Sequence, residues 1–149
     1  MVPELLEQRN FEIQAVQRQI CASEVRWDEY MLDGAEIVVV AYGIMGRICQ
    51  TAIKRARADG IRVGLLRPIS LYPFPYDRIT ALAETASAFL VAEMSAGQMI
   101  EDVRLAVGRN PPVHLFGRMG GIVPLPDEVL ADLEKLAAHA PLDATVAVA

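Results

Sequence analysis

Polar residues follow three short apolar segments of the chain, and their types could hold a small ligand. The first segment leads into Tyr42 and Gly43, the second into Arg67, and the third into Glu93 and, five residues later, Gln98. Tyrosine and glutamine donate hydrogen bonds, and a guanidinium group binds carboxylates and phosphates. The pattern therefore indicates a binding crevice rather than a single reactive group.

The apolar segments predict buried parallel strands. They are residues 37–41, 63–66 and 89–92, and none alternates apolar with polar positions. Such runs suit strands that are covered on both faces, and a helical stretch follows each one. Ligands of open parallel sheets bind beyond the carboxyl ends of the strands. We therefore expect Tyr42, Arg67 and Glu93 to share one rim of the sheet.

The whole pattern predicts a three-layer α/β/α domain with an open, mostly parallel sheet. The predicted strands are 36–42, 61–67, 88–93 and 113–116, and the predicted helices between and after them are about 46–58, 75–86, 97–107 and 126–138. Before them, apolar residues at helical spacing predict one amphipathic helix over residues 4–31. The sequence thus divides into a connector helix (1–34), an α/β domain (35–140) and a tail (141–149).

Composition limits the function classes. The chain has 149 residues and a net charge of -5, which argues against general binding to nucleic acid or to an anionic membrane. No segment is long and apolar enough to span a membrane. Cys21 and Cys49 stand alone, so they predict neither a zinc site nor an iron–sulfur cluster, and a cytoplasmic location follows. The exposed apolar stripe of the connector helix predicts self-association.

Two features of the predicted rim leave alternatives open. Gly43 and Gly46 lack a complete phosphate-binding motif, so they indicate either a simple turn or an anion held at a helix N-terminus. Arg67 and Glu93 end two strands, so they form either a structural ion pair or part of a ligand site.

Ser95 and Gln98 fit a capping box, in which Ser95 caps the following helix and Gln98 reaches back to it. Gly97 would then stand in the first helical turn, where glycine costs stability, and close approach of a ligand to the backbone would explain it. Arg118 belongs to a glycine-rich loop at the same edge. The chain offers no catalytic residue, since His114 has no partner at a recognisable spacing.

Several stretches taken together resemble a known family. They are Val40–Gly43, Gly60–Pro68, Leu71–Pro75, Glu93–Val103 and Phe116–Gly121. In order and spacing they are similar to the C-terminal part of the alpha subunit of 2-oxoacid:ferredoxin oxidoreductases, and the 2-oxoisovalerate type is the most similar. The resemblance covers residues 24–131.

The resemblance implies a fold similar to the transketolase C-terminal domain and an enzyme that converts a 2-oxoacid to an acyl-CoA, with ferredoxin as acceptor. It implies thiamine diphosphate, magnesium and iron–sulfur clusters in the whole complex, held largely by other domains or subunits, and no cofactor or metal held by this chain alone. Six candidate ligand residues match family positions, namely Tyr42, Arg67, Glu93, Gly97, Gln98 and Arg118, and Gly43 is the seventh candidate. We expect either a split subunit or an excised domain that shapes the CoA or thiamine pocket. The alternative is a stand-alone module that binds a small anion or nucleotide.

Overall fold

The computed structural model describes residues 2–139. In chain order, the described elements are α1 (Pro3–Ser23), β1 (Trp27–Tyr30), β2 (Ile37–Val40), α2 (Gly43–Ala58), β3 (Val63–Pro68), α3 (Tyr76–Ala83), β4 (Ala88–Glu93), α4 (Met99–Val107), β5 (Val113–Gly117) and α5 (Pro126–His139).

The strands form one open sheet in the order β1-β3-β2-β4-β5. Strands β2 to β5 are parallel, and β1 pairs with β3 in the antiparallel sense. The predicted three-layer fold with a mostly parallel sheet is therefore confirmed. The chain goes from β2 to β3 on one side and then crosses to β4 on the other side, so the strand order reverses between β2 and β4. That reversal marks the position where open α/β sheets bind their ligands.

Side chains of the parallel strands alternate between two buried faces. Val39, Leu65 and Leu90 point into a core formed with α2 and α5. Val40, Leu66 and Val91 point into a second core formed with α3 and α4. Because both faces are covered, β2 and β4 carry apolar residues at nearly every position, which explains the missing alternation in the sequence.

The helix expected over residues 4–31 is wrong in its last part, residues 24–31. It ends at Ser23, and residues 27–30 form the edge strand β1 on β3. Trp27 and Met31 continue the helical spacing of α1, but the aromatic residues Trp27 and Tyr30 also suit a strand. Pairing with β1 satisfies backbone groups at the edge of β3 that a continued helix would leave open. The first strand of the sheet therefore lies inside the segment assigned to the connector.

Helix α1 buries none of its residues. The exposed large apolar side chains on it are Leu5, Leu6, Phe11, Ile13, Val16 and Ile20. This helix therefore presents an apolar surface that nothing in the described chain covers. The predicted tail, 141–149, lies outside the described residues.

Candidate functional site

The register of the parallel strands brings the predicted residues to one edge of the sheet. Val40 of β2 stands level with Leu66 of β3 and with Val91 of β4. The polar residues that follow these positions, Arg67 and Glu93 among them, therefore lie at the carboxyl edge. We call the space at this edge, between the β2–α2 and β4–α4 connections, the carboxyl-edge crevice.

Arg67 and Glu93 do not pair with each other. Arg67 follows Leu66 directly and so points to the side of α2, whereas Glu93 stands two residues after Val91 and points to the side of α4. A shift of one residue along a strand moves a side chain to the opposite face of the sheet. The ion pair considered from the sequence is therefore absent, and each residue has different partners.

The Glu93 carboxylate binds the start of α4. The Glu93 side chain is almost fully buried, with 1% exposed. Its Oε2 accepts hydrogen bonds from the Ser95 hydroxyl at 2.6 Å and from the backbone N–H groups of Gln98 and Met99 at 3.2 and 3.0 Å, and its Oε1 accepts one from Ile100 N–H at 3.3 Å. These donors include N–H groups that a helix cannot satisfy itself. The carboxylate takes the place that a ligand phosphate would need at this helix end.

The capping box predicted for Ser95 and Gln98 is therefore wrong. Helix α4 begins at Met99, and Gln98 precedes it without a side-chain capping bond. Glu93 performs the capping from the preceding strand, which a local motif search cannot detect. The Gln98 side chain is exposed and makes no hydrogen bond within residues 2–139, so it is free to meet a ligand.

Gly97 has a conformational reason to be glycine. Its φ is +108°, which side-chain-bearing residues rarely adopt. A Cβ there would also lie 3.2 Å from a methyl carbon of Leu115 and 3.3 Å from one of Ile100. Gly97 lies before α4 rather than in its first turn, so the tight turn into the helix accounts for this glycine without a bound ligand.

Arg67 packs against the first turn of α2. A Cβ on Gly46 would lie 3.1 Å from its Cδ and 3.3 Å from its Nε, so glycine allows this approach. The Nε atom is buried and has no hydrogen-bond partner within the described chain. The Arg67 guanidinium group also lies near the Asp28 carboxylate, at 3.7 Å between Nη1 and Oδ2. Arg67 therefore retains unused hydrogen-bonding capacity at the crevice.

The β2–α2 connection differs from the sequence prediction at its start. Helix α2 begins at Gly43, three residues earlier than expected, and Tyr42 precedes it without a side-chain capping bond. Gly43 is exposed and has a φ of +56°. Tyr42 is half-buried against the core under α3 and α4. The first turn of α2 contains no acidic residue, whereas the start of α4 is capped by the Glu93 carboxylate.

Arg118 is held in place by contacts with α5, β5 and β4. Its Nε and Nη2 donate to Oε2 of Glu128 at 3.2 and 2.6 Å, and its guanidinium carbon lies 4.8 Å from the centre of the Phe116 ring. Its backbone N–H donates to the carbonyl of Glu93 at 3.1 Å. The N–H of Leu125 and the Arg118 guanidinium both lower the pKa of Glu128 below its ordinary value of 4.5. The loop after β5 is thereby joined to both β4 and α5.

Sequence reasoning missed Asp28 and Glu128 as partners of the two arginines. Asp28 was assigned to a helix, and Glu128 lies 10 residues beyond Arg118. Residues 27–30, Trp-Asp-Glu-Tyr, do not alternate apolar with polar positions, so no periodic signal in the sequence marks β1.

A groove of about 480 Å³ beside the β1 end of the sheet was also missed. Its lining includes Cys21, Trp27, Tyr72, Phe74 and Tyr76. The Tyr76 hydroxyl donates to Asp102 at 2.5 Å, and this hydrogen bond, with burial, raises the pKa of Tyr76 to about 12. A larger cavity of about 820 Å³ lies near Pro111 and His114. Neither is lined by the seven predicted ligand residues.

Other kinds of site receive no support from residues 2–139. No three His, Cys, Asp or Glu side chains in that range come together as a metal site. Burial raises the pKa of the Cys49 thiol to about 12, so this cysteine is held in the unreactive protonated form. No helix in the same range has the length and apolar character of a membrane span.

The fold defines a class: an open, mostly parallel α/β domain whose polar residues gather at the carboxyl edge, where the strand order reverses. Residues 35–129 match the model of the pyruvate:ferredoxin oxidoreductase core domain II. The chain therefore belongs to this family of 2-oxoacid oxidoreductase domains.

Relatives of known name agree with this assignment. The chain is 53% identical over 116 residues to ketoisovalerate oxidoreductase subunit VorB of Methanothermobacter thermautotrophicus, a match that covers 78% of this chain and 33% of that subunit. It is 38% identical over 98 residues to 2-oxoglutarate synthase subunit KorA of Methanothermobacter marburgensis, covering 66% of this chain and 26% of that subunit. The chain thus spans about a third of the length of VorB and about a quarter of that of KorA.

Solved structures agree on the fold. The 2-oxoglutarate:ferredoxin oxidoreductase from Magnetococcus marinus, solved with 2-oxoglutarate, coenzyme A and succinyl-CoA bound, superimposes with a TM-score of 0.79 at 19% identity, over 91% of this chain and 24% of that one. A split-gene transketolase, an inactive beta4 tetramer, gives 0.66 at 22% identity, over 77% of this chain and 42% of that one. The expected likeness to transketolase is thereby confirmed.

Proposed function

We propose that this chain serves, as a domain or as a separate subunit, in a 2-oxoacid:ferredoxin oxidoreductase that converts a 2-oxoacid to an acyl-CoA. The match over residues 35–129 carries the proposal. The branched-chain 2-oxoacid of the ketoisovalerate type is the proposed substrate, because the identity to VorB is 53% and that to KorA is 38%. Thiamine diphosphate, magnesium and iron–sulfur clusters would be held by other parts of the complex, and ferredoxin would accept the electrons.

Within that enzyme, the carboxyl-edge crevice would shape the CoA or thiamine pocket. Arg67 supports this role, since it has a buried Nε without a partner among residues 2–139. Gln98 supports it with an exposed side-chain amide. Tyr42, Gly43 and Gly97 form the turns that border the crevice, and Arg118 stands at its β5 end. The chain would contribute assembly and binding, and the bond-breaking steps would occur elsewhere.

Substitutions at the two ends of the crevice test this role in the assembled enzyme. Gln98→Ala removes an amide without disturbing a described contact, and Arg118→Ala removes a cation together with its Glu128 pair. We expect the KM for CoA to rise about fivefold or more, as for loss of one hydrogen bond to a ligand, or assembly with the partner subunits to weaken. Arg104→Ala, which removes an exposed arginine paired with Glu101, is the matched control. Unchanged kinetics and assembly in both crevice variants would contradict the proposal.

We further propose that the chain self-associates through the exposed apolar side of α1 and that the enzyme is cytoplasmic. The first proposal is supported by the exposure of Ile13, Val16 and Ile20, since an uncovered apolar stripe favours association.

The stand-alone binding module is the weaker alternative, since the family match favours the oxidoreductase. Calorimetry of the isolated chain with CoA, nucleotides and thiamine diphosphate separates the two. Tight binding by the chain alone would support the module, whereas binding that requires the partner subunits supports the oxidoreductase.

A further inference from the structure

Glu93 is a charged residue that lies buried next to the crevice, and this position suggests a function in ligand binding as well as in stability. Among residues 2–139 it is the only charged side chain that is buried, and it forms no ion pair there. A buried carboxylate without a cation is costly unless hydrogen bonds replace its hydration. The Ser95 hydroxyl and three backbone N–H groups supply those bonds.

Two of these donors belong to the segment that borders the crevice, and the other two belong to the first turn of α4. Ser95 lies at the beginning of that segment and Gln98 at its end, and both bind Oε2 of the same carboxylate. The backbone of Glu93 also accepts a hydrogen bond from Arg118 N–H at 3.1 Å. One residue therefore fixes the Ser95–Gln98 segment through its side chain and the loop after β5 through its carbonyl.

We propose that Glu93 is a positioning residue of the crevice, which holds the backbone of Gln98 in place so that the Gln98 amide meets the ligand. The inference rests on the proposed function, because CoA is the ligand by which it is measured. Glu93 itself does not contact the ligand, since its carboxylate oxygens are already engaged by Ser95 and the start of α4. This differs from the ligand-binding role expected from the sequence.

The first experiment compares Glu93→Gln with Glu36→Gln in the assembled enzyme. Glutamine keeps the volume of the Glu93 side chain, but its NH2 group cannot accept hydrogen bonds from the backbone N–H donors. The Ser95–Gln98 segment should therefore shift. Glu36 lies at the opposite edge of the sheet and pairs with Arg62 at the surface. We expect the KM for CoA to rise about tenfold in Glu93→Gln with kcat within about twofold, and both constants to stay unchanged in the control. A lower melting temperature with an unchanged KM would overturn the inference.

The second experiment uses chemical rescue. Glu93→Ala leaves a space of carboxylate size beside free N–H donors at the start of α4, and added formate should occupy it. We expect formate to restore the KM for CoA, whereas formamide, its neutral counterpart, should not. Equal effects of the two additives, or none, would overturn the inference. If neither Glu93 variant assembles, Ser95→Ala removes one donor of the four and should raise the KM by a smaller factor.

Gln98→Ala separates failure of this inference from failure of the proposed function. If Gln98→Ala raises the KM for CoA and Glu93→Gln does not, Glu93 has no positioning role. If Gln98→Ala and Arg118→Ala also leave the KM and assembly unchanged, the proposed crevice itself is wrong, and the role of Glu93 is rejected with it.

Discussion

Asp28 and Arg67 stand opposite each other on the antiparallel strands β1 and β3, with 3.7 Å between Oδ2 and Nη1. This distance is too long for a good hydrogen bond, and 58% of the Asp28 side chain is exposed. The edge strand therefore supplies Arg67 with a weak counter-charge and leaves the arginine available at the crevice.

The weakness of this pair predicts a small effect on stability. Asp28→Asn should change the free energy of unfolding of the isolated chain by less than about 0.5 kcal/mol, because exposed pairs contribute little. Arg67→Met keeps the packing against Gly46 and removes an unsatisfied donor, so it should stay within about 1 kcal/mol of wild type. Urea unfolding measures both. A loss of several kcal/mol in Arg67→Met would show that Arg67 is held by structural bonds rather than kept for a ligand.

Gly97→Ala should destabilise the domain by about 1–3 kcal/mol, the usual cost of forcing an L residue into a sparsely populated backbone region. The alternative cause is the contact of the new methyl group with Leu115. The double variant Gly97→Ala, Leu115→Ala, compared with Leu115→Ala alone in urea unfolding, distinguishes them. If the cost of the Gly97 substitution disappears in the Leu115→Ala background, crowding and not backbone strain is responsible.

The lowered pKa of Glu128 predicts a pH dependence with a defined sign. A carboxyl group whose pKa is lower in the folded state stabilises the fold above its ordinary pKa of 4.5, and this contribution is lost as the pH falls through the lowered value. Glu128→Gln should therefore lower the melting temperature at neutral pH, and the difference from wild type should shrink below pH 4.5. Glu134→Gln, at an exposed position of the same helix, is the control. A difference that stays constant from neutral to acidic pH would contradict the assignment.

If the chain self-associates through α1, charged residues placed on the apolar side of α1 should make the chain a monomer. Ile13→Lys with Ile20→Lys should abolish oligomers of the isolated chain in sedimentation velocity, while the melting temperature stays unchanged because α1 buries none of its residues. Gln8→Lys with Gln14→Lys adds the same charge away from that side and should leave the oligomers intact. A wild-type chain that sediments as a monomer at all concentrations would reject the proposal.

The sequence alone was sufficient for the parallel strands and for their polar edge. Runs such as Ile37–Ala41 lack alternation because both faces of their strands are buried, and this signal is local. Residues that follow such strands must come out at one edge, so Tyr42, Arg67 and Glu93 could be assigned to it. The family resemblance added the domain family, which the match over residues 35–129 then confirmed.

Tertiary structure decided which of these residues meet. Arg67 and Glu93 lie on opposite faces of the sheet because Arg67 stands one residue, and Glu93 two residues, beyond the level that Leu66 and Val91 share. Pairing between distant segments of the chain is not encoded in local spacing. For the same reason, β1 could not be distinguished from a continued helix until β3 was available to pair with it. The capping of α4 by Glu93 likewise depends on where β4 ends relative to a helix that begins six residues later. This relationship is three-dimensional, and the spacing of Ser95 and Gln98 in the sequence only resembles a capping motif.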